Sequence, residues 1–393
     1  MNFLINKSFK NKSVLIRVDF NVPLNNELQI TDDSRIVAAL PTIKHVLDSG
    51  AKIILISHLG RPKGVDKAFS LLPVSKKLSK LLAKPVIFLD DCVGENVENR
   101  IKSGVAGNIF LLENLRFYKE ETKGDYSFSK KLSNLADVYI NDAFGTSHRA
   151  HASTHGVVEH FQNEKYCGLL LEKEVINLNK VFNQNNSPSI AIIGGAKISS
   201  KIDVLFSLMN CVDKIIIGGG MAYTFIRALG GSVGASLFEK DKINAAKEIL
   251  AFSKEKGVSV LLPVDSINSN SFSNEISSST NIFNIPVKEM GLDIGPKSIA
   301  LFEKEILLAK NIIWNGPMGV FEFSNFSNGT RLVGEAVANS TKKGSYSLVG
   351  GGDSVAAIKK YNLENQVSYI STGGGAMLEF LEGKELPALK ALL

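Results

Sequence analysis

Short apolar runs, separated by stretches with helical spacing, set the rhythm of this chain. In the first half they are Val14–Asp19, Lys52–His58, Pro85–Leu89, Asn108–Leu112 and Val138–Asn141. In the second they are Ile190–Ile193, Lys214–Ile217, Ser259–Leu262, Asn311–Trp314, Ser345–Val349 and Ser368–Ser371. The runs are mostly continuous rather than alternating, as in strands buried on both faces of a parallel sheet. Strand, turn and helix recurring in that order give βαβ units, and two such series predict two doubly wound α/β domains.

Between the two series, over Glu164–Phe182, Leu169, Leu170, Val175, Ile176, Leu178 and Val181 recur at helical spacing among charged positions. This predicts a helix bridging the domains, closed by turn residues over Asn183–Pro188. The expected division is 1–168 for the first domain, 169–182 for the bridging helix, 183–375 for the second domain and 376–393 for a C-terminal segment. The Asn- and Ser-rich stretch Asn268–Thr280 reads as exposed loop.

Composition narrows the class. A chain of 393 residues, 44% hydrophobic with 33 glycines and 11 prolines, is globular and suits two ordinary cores. No apolar run approaches the roughly 18 residues of a membrane span. The start, MNFLINKSFK, is broken by Asn6, Lys7 and Lys10, unlike a secretion signal. Three cysteines, Cys92, Cys167 and Cys211, are odd in number and far apart, which argues against a disulfide framework and for a reducing, cytoplasmic compartment. The net charge of +6 fits either a nucleic-acid binder or an enzyme of anionic substrates. No dense Lys/Arg block or aromatic-basic interleaving supports the former.

In open α/β sheets ligands bind beyond the carboxyl ends of the strands. In the first half those ends carry Asp19, Asn21, His58, Arg61, Arg116, Asp142, His148 and Arg149. Guanidinium and imidazole groups hold planar anions through charge-assisted bonds. In the second half the ends are Gly194–Lys197, Gly218–Gly220, Asp265, Asn315, Gly350–Asp353 and Gly373–Gly375. Bare backbone opening into helices receives phosphates on its N–H groups. One half suits a small acidic metabolite and the other a nucleotide, which together point to phosphoryl transfer. Lys197 and Lys201, four residues apart, are expected on one face of a starting helix. His148, His151 and His155 form a spaced array, but with no cysteine near they fit anion binding better than zinc. Neither GxxxxGK[ST] nor a GxGxxG with a following acid occurs, so this is no P-loop enzyme and a nicotinamide dehydrogenase lacks its fingerprint.

The motifs then resemble one family. RVDFNVP (Arg17–Pro23), SHLGRPKG (Ser57–Gly64), LLENLRF (Leu111–Phe117) and NDAFGTSHRAHAS (Asn141–Ser153) are similar to the N-terminal domain of phosphoglycerate kinases. GGAKISSKI (Gly194–Ile202), GGGMAYTF, LPVD (Leu262–Asp265), GLDIGP (Gly291–Pro296), WNGPMGVFE (Trp314–Glu322) and GGGDSVAA (Gly350–Ala357) resemble its nucleotide domain. The resemblance implies two Rossmann-like domains, bilobal about a central cleft, with 376–393 returning to the first. It implies reversible, Mg²⁺-dependent phosphoryl transfer between ATP and the carboxylate of 3-phosphoglycerate by a monomer, with no nucleic-acid or membrane partner. It assigns Asp19, Asn21, Arg35, His58, Arg61, Arg116 and Arg149 to 3-phosphoglycerate, the last three to its phosphate. Arg35, Lys197 and Lys201 become the catalytic cations. Lys201, Gly219, Gly291, Glu322, Gly350, Gly351, Gly352 and Asp353 become nucleotide ligands, Glu322 at the ribose and Asp353 also at the metal. Ser200 stands where the family often has an acid, and Ser354 where it often has threonine.

Overall fold

A computed structural model describes residues 2–4, 7–182 and 187–393. The chain divides into two compact units, Met1–Ile176 with Glu385–Leu393, and Asn177–Lys384. Of the turn expected over Asn183–Pro188, residues 183–186 lie outside the described residues.

The first unit is built on six parallel strands in the spatial order Val86–Leu89, Ile109–Leu112, Lys52–Ile56, Ser13–Val18, Val138–Asp142 and Lys165–Cys167. Val14, Ile16, Ile53, Leu55, Ile109, Leu111, Val138 and Ile140 are fully buried, as their uninterrupted apolar runs require. Helix Ser34–Asp48 turns Ile36, Ala39, Ile43 and Val46 inward, a spacing of three to four residues that makes one apolar stripe. The chain begins in the middle of the sheet and reverses direction between Ser13–Val18 and Val138–Asp142. Such a switch point leaves a crevice at the strand ends.

The second unit repeats the plan with six parallel strands in the order Ser259–Leu261, Lys214–Ile217, Ser189–Ile193, Asn311–Asn315, Tyr346–Val349 and Tyr369–Ile370. Its core joins Ile190, Ile192, Phe302, Ile312, Trp314, Val333 and Val349. The switch point lies between Ser189–Ile193 and Asn311–Asn315.

Three stretches of the fold differ from the sequence expectation, and a fourth, at Lys197 and Lys201, lies within the site. Lys165–Cys167, expected inside the bridging helix, is the sixth strand of the first sheet, and the helix itself runs Leu169–Val181. Three residues are too few to show a period, and Gly168 ends the strand. The expected loop Asn268–Thr280 holds the ends of two strands, Asp265–Ser269 and Ser278–Asn281, which form a small antiparallel sheet with Met290–Ile294. These strands bury polar groups: the Asn268 amide donates to Ser278 Oγ at 3.0 Å and Thr280 Oγ1 at 2.9 Å. Beside the backbone ladder, these side-chain hydrogen bonds satisfy buried polar groups, which no hydropathy pattern reveals. Within the C-terminal segment, Gly375–Leu381 is a helix of the second unit, while the Ala388 N–H bonds the Ser147 carbonyl of the first at 3.1 Å.

Two buried strand-end carboxylates serve the fold. Asp265 accepts from the Lys297 and Ser298 N–H groups at 2.9 and 2.8 Å, capping helix Pro296–Leu308. Asp293 accepts from the N–H groups of Gly329, early in helix Asn328–Lys342, and of Ile294. Burial outweighs these bonds and raises its pKa to about 8. Its proton is therefore held more tightly in the folded chain than in the unfolded one. Stability should rise as pH falls from about 8 towards the ordinary carboxyl range near 4. In Asp293→Asn that increment should vanish. Urea midpoints of both proteins at several pH values check this, and parallel pH dependences would refute it.

Candidate functional site

Each unit carries a cluster at its strand ends. In the first, Arg61, Arg116 and Arg149 line one cavity of about 710 Å³ together with Lys119 and His151. Arg116 follows the strand Ile109–Leu112 on a short 3₁₀ turn, Leu115–Phe117, capped by the Asn114 side chain. Its Nη1 donates to the Gly60 carbonyl at 2.5 Å, while its Nε is buried with no partner among the described residues. An unpaired buried guanidinium N–H beside a basic cavity is what an absent anion would satisfy. The Gly60 N–H in turn donates to Asn21 Oδ1 at 2.8 Å. Asp19 accepts from Arg35 Nη1 at 2.8 Å, and His58 Nδ1 lies 3.1 Å from Arg17 Nη2.

The titrations report a concentrated positive field. Burial comes first in lowering His58 well below its ordinary value, followed by Arg17, Arg116, Arg35 and Arg149. Burial and then Arg17, Arg116 and Arg149 push His151 down to about 3, so its 3.7 Å approach to Glu121 is a polar contact and no ion pair. Arg116 itself falls to about 10, chiefly by burial and then by Arg149 and Arg17. All seven residues expected for the acidic substrate thus lie in one linked cluster. Arg17, Glu121, Ser153 and Lys119 stand beside these residues with no role expected from sequence. The one available signal was Arg17, a lone charge in the apolar strand SVLIRV.

In the second unit, an apolar cavity of about 700 Å³ is lined by Leu237, Phe272, Met290, Met318, Val320 and Phe323, with Gly219, Gly291 and Glu322 among its walls. A smaller cavity of about 280 Å³ is lined by Lys197, Ser200, Lys201, Asn315, Gly351, Gly352, Asp353, Gly374 and Gly375. Gly195, Ala196 and Asp353 line both, so the two adjoin. Gly219 adopts φ +68° with the Gly195 N only 2.6 Å from where a Cβ would sit, which only glycine tolerates. At Gly291 a Cβ would meet the Tyr223 hydroxyl at 2.0 Å. Gly350 does not line either cavity; it packs on Met377.

Lys197 and Lys201 do share a cavity, but not one face of an α-helix. They flank a 3₁₀ turn, Ile198–Ser200, and the helix begins only at Ile202. The two glycines before them leave Lys197 extended. Lys197 is exposed, whereas Lys201 is half-buried with its ammonium against Asn315 Oδ1. Burial lowers Lys201 to about 8, with Asp353 acting in the opposite direction. Asp353 is exposed in the first turn of helix Gly352–Lys360, and its carboxylate forms no hydrogen bond or ion pair among the described residues. Ser354 keeps the hydroxyl that counts: its Oγ accepts from the Gly316 N–H at 2.5 Å. Among the described residues no three His, Cys, Asp or Glu side chains converge to hold a metal unaided, His148, His151 and His155 included.

Comparisons with known proteins match the chain over nearly its whole length. The model of the phosphoglycerate kinase family matches residues 4–384. A phosphoglycerate kinase of Dictyoglomus turgidum is 53% identical over 390 residues, covering 99% of this chain and 97% of its own. One of Nostoc sp. is 52% identical over 382 residues, covering 97% and 95%. Among solved structures, phosphoglycerate kinase from Coxiella burnetii superposes with a TM-score of 0.88 at 44% identity, covering 98% of this chain and 97% of its own. That from Pyrococcus horikoshii gives 0.86 at 33% identity, covering 100% and 98%. On fold, on length and on sequence, the chain belongs to the phosphoglycerate kinase family.

Proposed function

We propose that this kinase holds 3-phosphoglycerate on the basic cluster of its first unit and ATP on the paired cavities of its second. One observation carries the nucleotide assignment: an apolar cavity of nucleoside size adjoins a smaller one lined by Lys197, Lys201 and helix-opening glycines. Arg61, Arg116 and Arg149 would take the phosphate of 3-phosphoglycerate, and Asp19 would hold Arg35 for the carboxylate end. Gly219 and Gly291 would face the adenosine, with Glu322 at the ribose. Gly351, Gly352 and Asp353 would meet the nucleotide phosphates, with Gly350 supporting that turn from behind.

The acceptor is a carboxylate, already ionised at neutral pH, so no general base is required. The work left to the protein is alignment and charge neutralisation on the phosphoryl group in flight. Lys201 suits it best, since a half-buried ammonium acts through a low local dielectric. Lys197, more exposed, would track the same oxygens, and Arg35 would offset charge on the acceptor. The first-unit arginines orient the acid, and the apolar walls around the base exclude water.

Magnesium fits the second site. It keeps several waters and needs only one or two protein carboxylates beside substrate phosphates. Asp353, exposed in the first turn of its helix and without a hydrogen bond or ion pair among the described residues, meets that requirement. Bound with the nucleotide, the ion would offset phosphate charge. A cytoplasmic monomer acting on small molecules, rather than on nucleic acid, is the setting that the family supports.

A coupled assay with ATP, Mg²⁺ and 3-phosphoglycerate tests the activity. For the site, Asp353→Asn should raise the Mg²⁺ concentration needed for half-maximal rate. Calorimetry should show it weakening MgADP more than metal-free ADP. An unchanged Mg²⁺ titration would place the metal on other groups.

A further inference from the structure

Arg17 is fully buried in the strand Ser13–Val18 and lies beneath the basic cluster. Its guanidinium donates from Nε to Ser153 Oγ at 2.9 Å, from Nη1 to the Val18 carbonyl, and from Nη2 to His58 Nδ1 at 3.1 Å. A guanidinium has only donors. His58 Nδ1 must therefore accept, and the proton of the neutral ring must sit on Nε2. On the other side, the Ser153 hydroxyl accepts from Arg17 and donates its own O–H to Glu121 Oε1 at 2.7 Å. The Ser153 N–H reaches Glu121 Oε2 at 3.0 Å. With Glu121 as the carboxylate, each link runs in one direction only.

The surroundings explain why such a chain is there. Glu121 is fully buried, and Arg17 acts against the burial that raises its pKa. The pair, bridged by Ser153, keeps two buried charges compensated. The cations facing His58 are Arg17, Arg116, Arg35 and Arg149, which oppose any charge on its ring. His58 is only 3% exposed. Among the described residues its Nε2 is the ring nitrogen left without a hydrogen-bond partner.

We propose that Arg17, Ser153 and Glu121 are positioning residues that fix His58 as a neutral ring offering its Nε2–H to an oxygen of 3-phosphoglycerate. The site then recognises that oxygen by a directional hydrogen bond, while the arginines supply the charge. This rests on the reading that the first unit holds the acidic substrate.

Nitrogen NMR of the full-length protein, with the His58 signal assigned by its loss in His58→Gln, tests the inference. The expected spectrum is that of a neutral Nε2–H ring, unchanged from pH 6 to 8, whose Nε2–H signal moves when 3-phosphoglycerate is added. Ser153→Ala should release the ring, mixing its tautomers, and raise KM for 3-phosphoglycerate about tenfold with kcat held, the scale of one hydrogen bond. Ser153→Thr, which keeps the hydroxyl, should restore the tautomer. A proton on Nδ1, a ring that gains charge between pH 6 and 8, or Ser153→Ala with wild-type His58 signals and KM would each overturn it. If Ser153→Ala fails to fold, the wild-type spectrum still decides. If 3-phosphoglycerate moves the Arg61, Arg116 and Arg149 side-chain signals but not His58, the inference fails and the site stands. If it moves none of them, the site assignment itself is wrong.

Discussion

Replacing Lys201 with alanine is expected to lower kcat at saturating substrates by about 10²-fold or more, the scale for losing one preorganised charge partner of a transition state. The KM for ATP should change much less, because Lys197, Gly351 and Gly352 remain around the phosphates. Burial makes the side chain effective and also makes it titrate near the working range: its pKa is lowered to about 8. The charge is present below that pH and is lost above it. In the free wild-type enzyme, kcat/KM should therefore fall as pH rises through about 8, and this limb should be missing in Lys201→Ala. Lys201→Arg should not rescue, since a planar fork cannot take the place of a compact ammonium beside Asn315. Steady-state rates across pH for the three proteins decide it. Near-normal turnover in Lys201→Ala would mean that another cation meets the transferring group.

The parts of the fold that hydrophobicity dictates were legible in the sequence. All eleven apolar runs became parallel strands, because continuous burial on both faces leaves little room for another pattern. What hydropathy could not show was structure held by polar groups. The strands Asp265–Ser269 and Ser278–Asn281 are stabilised by Asn268 and its serine and threonine partners, residues that in sequence read as loop. Strand ends were likewise informative about place but not about task. Asp142 and Asp265 stand where ligand-binding residues stand, yet Asp142 accepts from the Leu170 and Leu171 N–H groups of the Leu169–Val181 helix, and Asp265 caps helix Pro296–Leu308. A carboxylate after a strand can serve a ligand or the next helix, and only the partner distinguishes the two. Arg17 shows the converse. It was visible as a charge in an apolar run, but its use depends on Ser153 and Glu121, which the chain brings to it from more than 100 residues away.

The second large effect is expected at Trp314, where fold and site meet. Its ring is fully buried in the second core and packs on Gly334, whose Cβ would lie 3.1 Å from the ring. Trp314→Ala should destabilise the second unit by about 3–5 kcal/mol, the range for emptying a large aromatic site in a core. The consequence reaches further, because the indole Nε1–H donates to the Gly316 carbonyl at 2.8 Å. Gly316 has φ +104° and lines the cavity that holds Lys201 and Asp353. Trp314→Phe separates the two roles in part: it keeps one aromatic ring in the core, removes the N–H and leaves a smaller cavity than alanine does, at a cost of about 2 kcal/mol. If the indole bond positions that turn, Trp314→Phe should still raise the KM for ATP while the unit stays folded. Urea unfolding should be followed by far-UV circular dichroism, since both variants remove the only tryptophan in the chain. A KM for ATP unchanged in Trp314→Phe would restrict Trp314 to packing, with the Gly316 turn then held by its other bond, the Gly316 N–H to Ser354 Oγ.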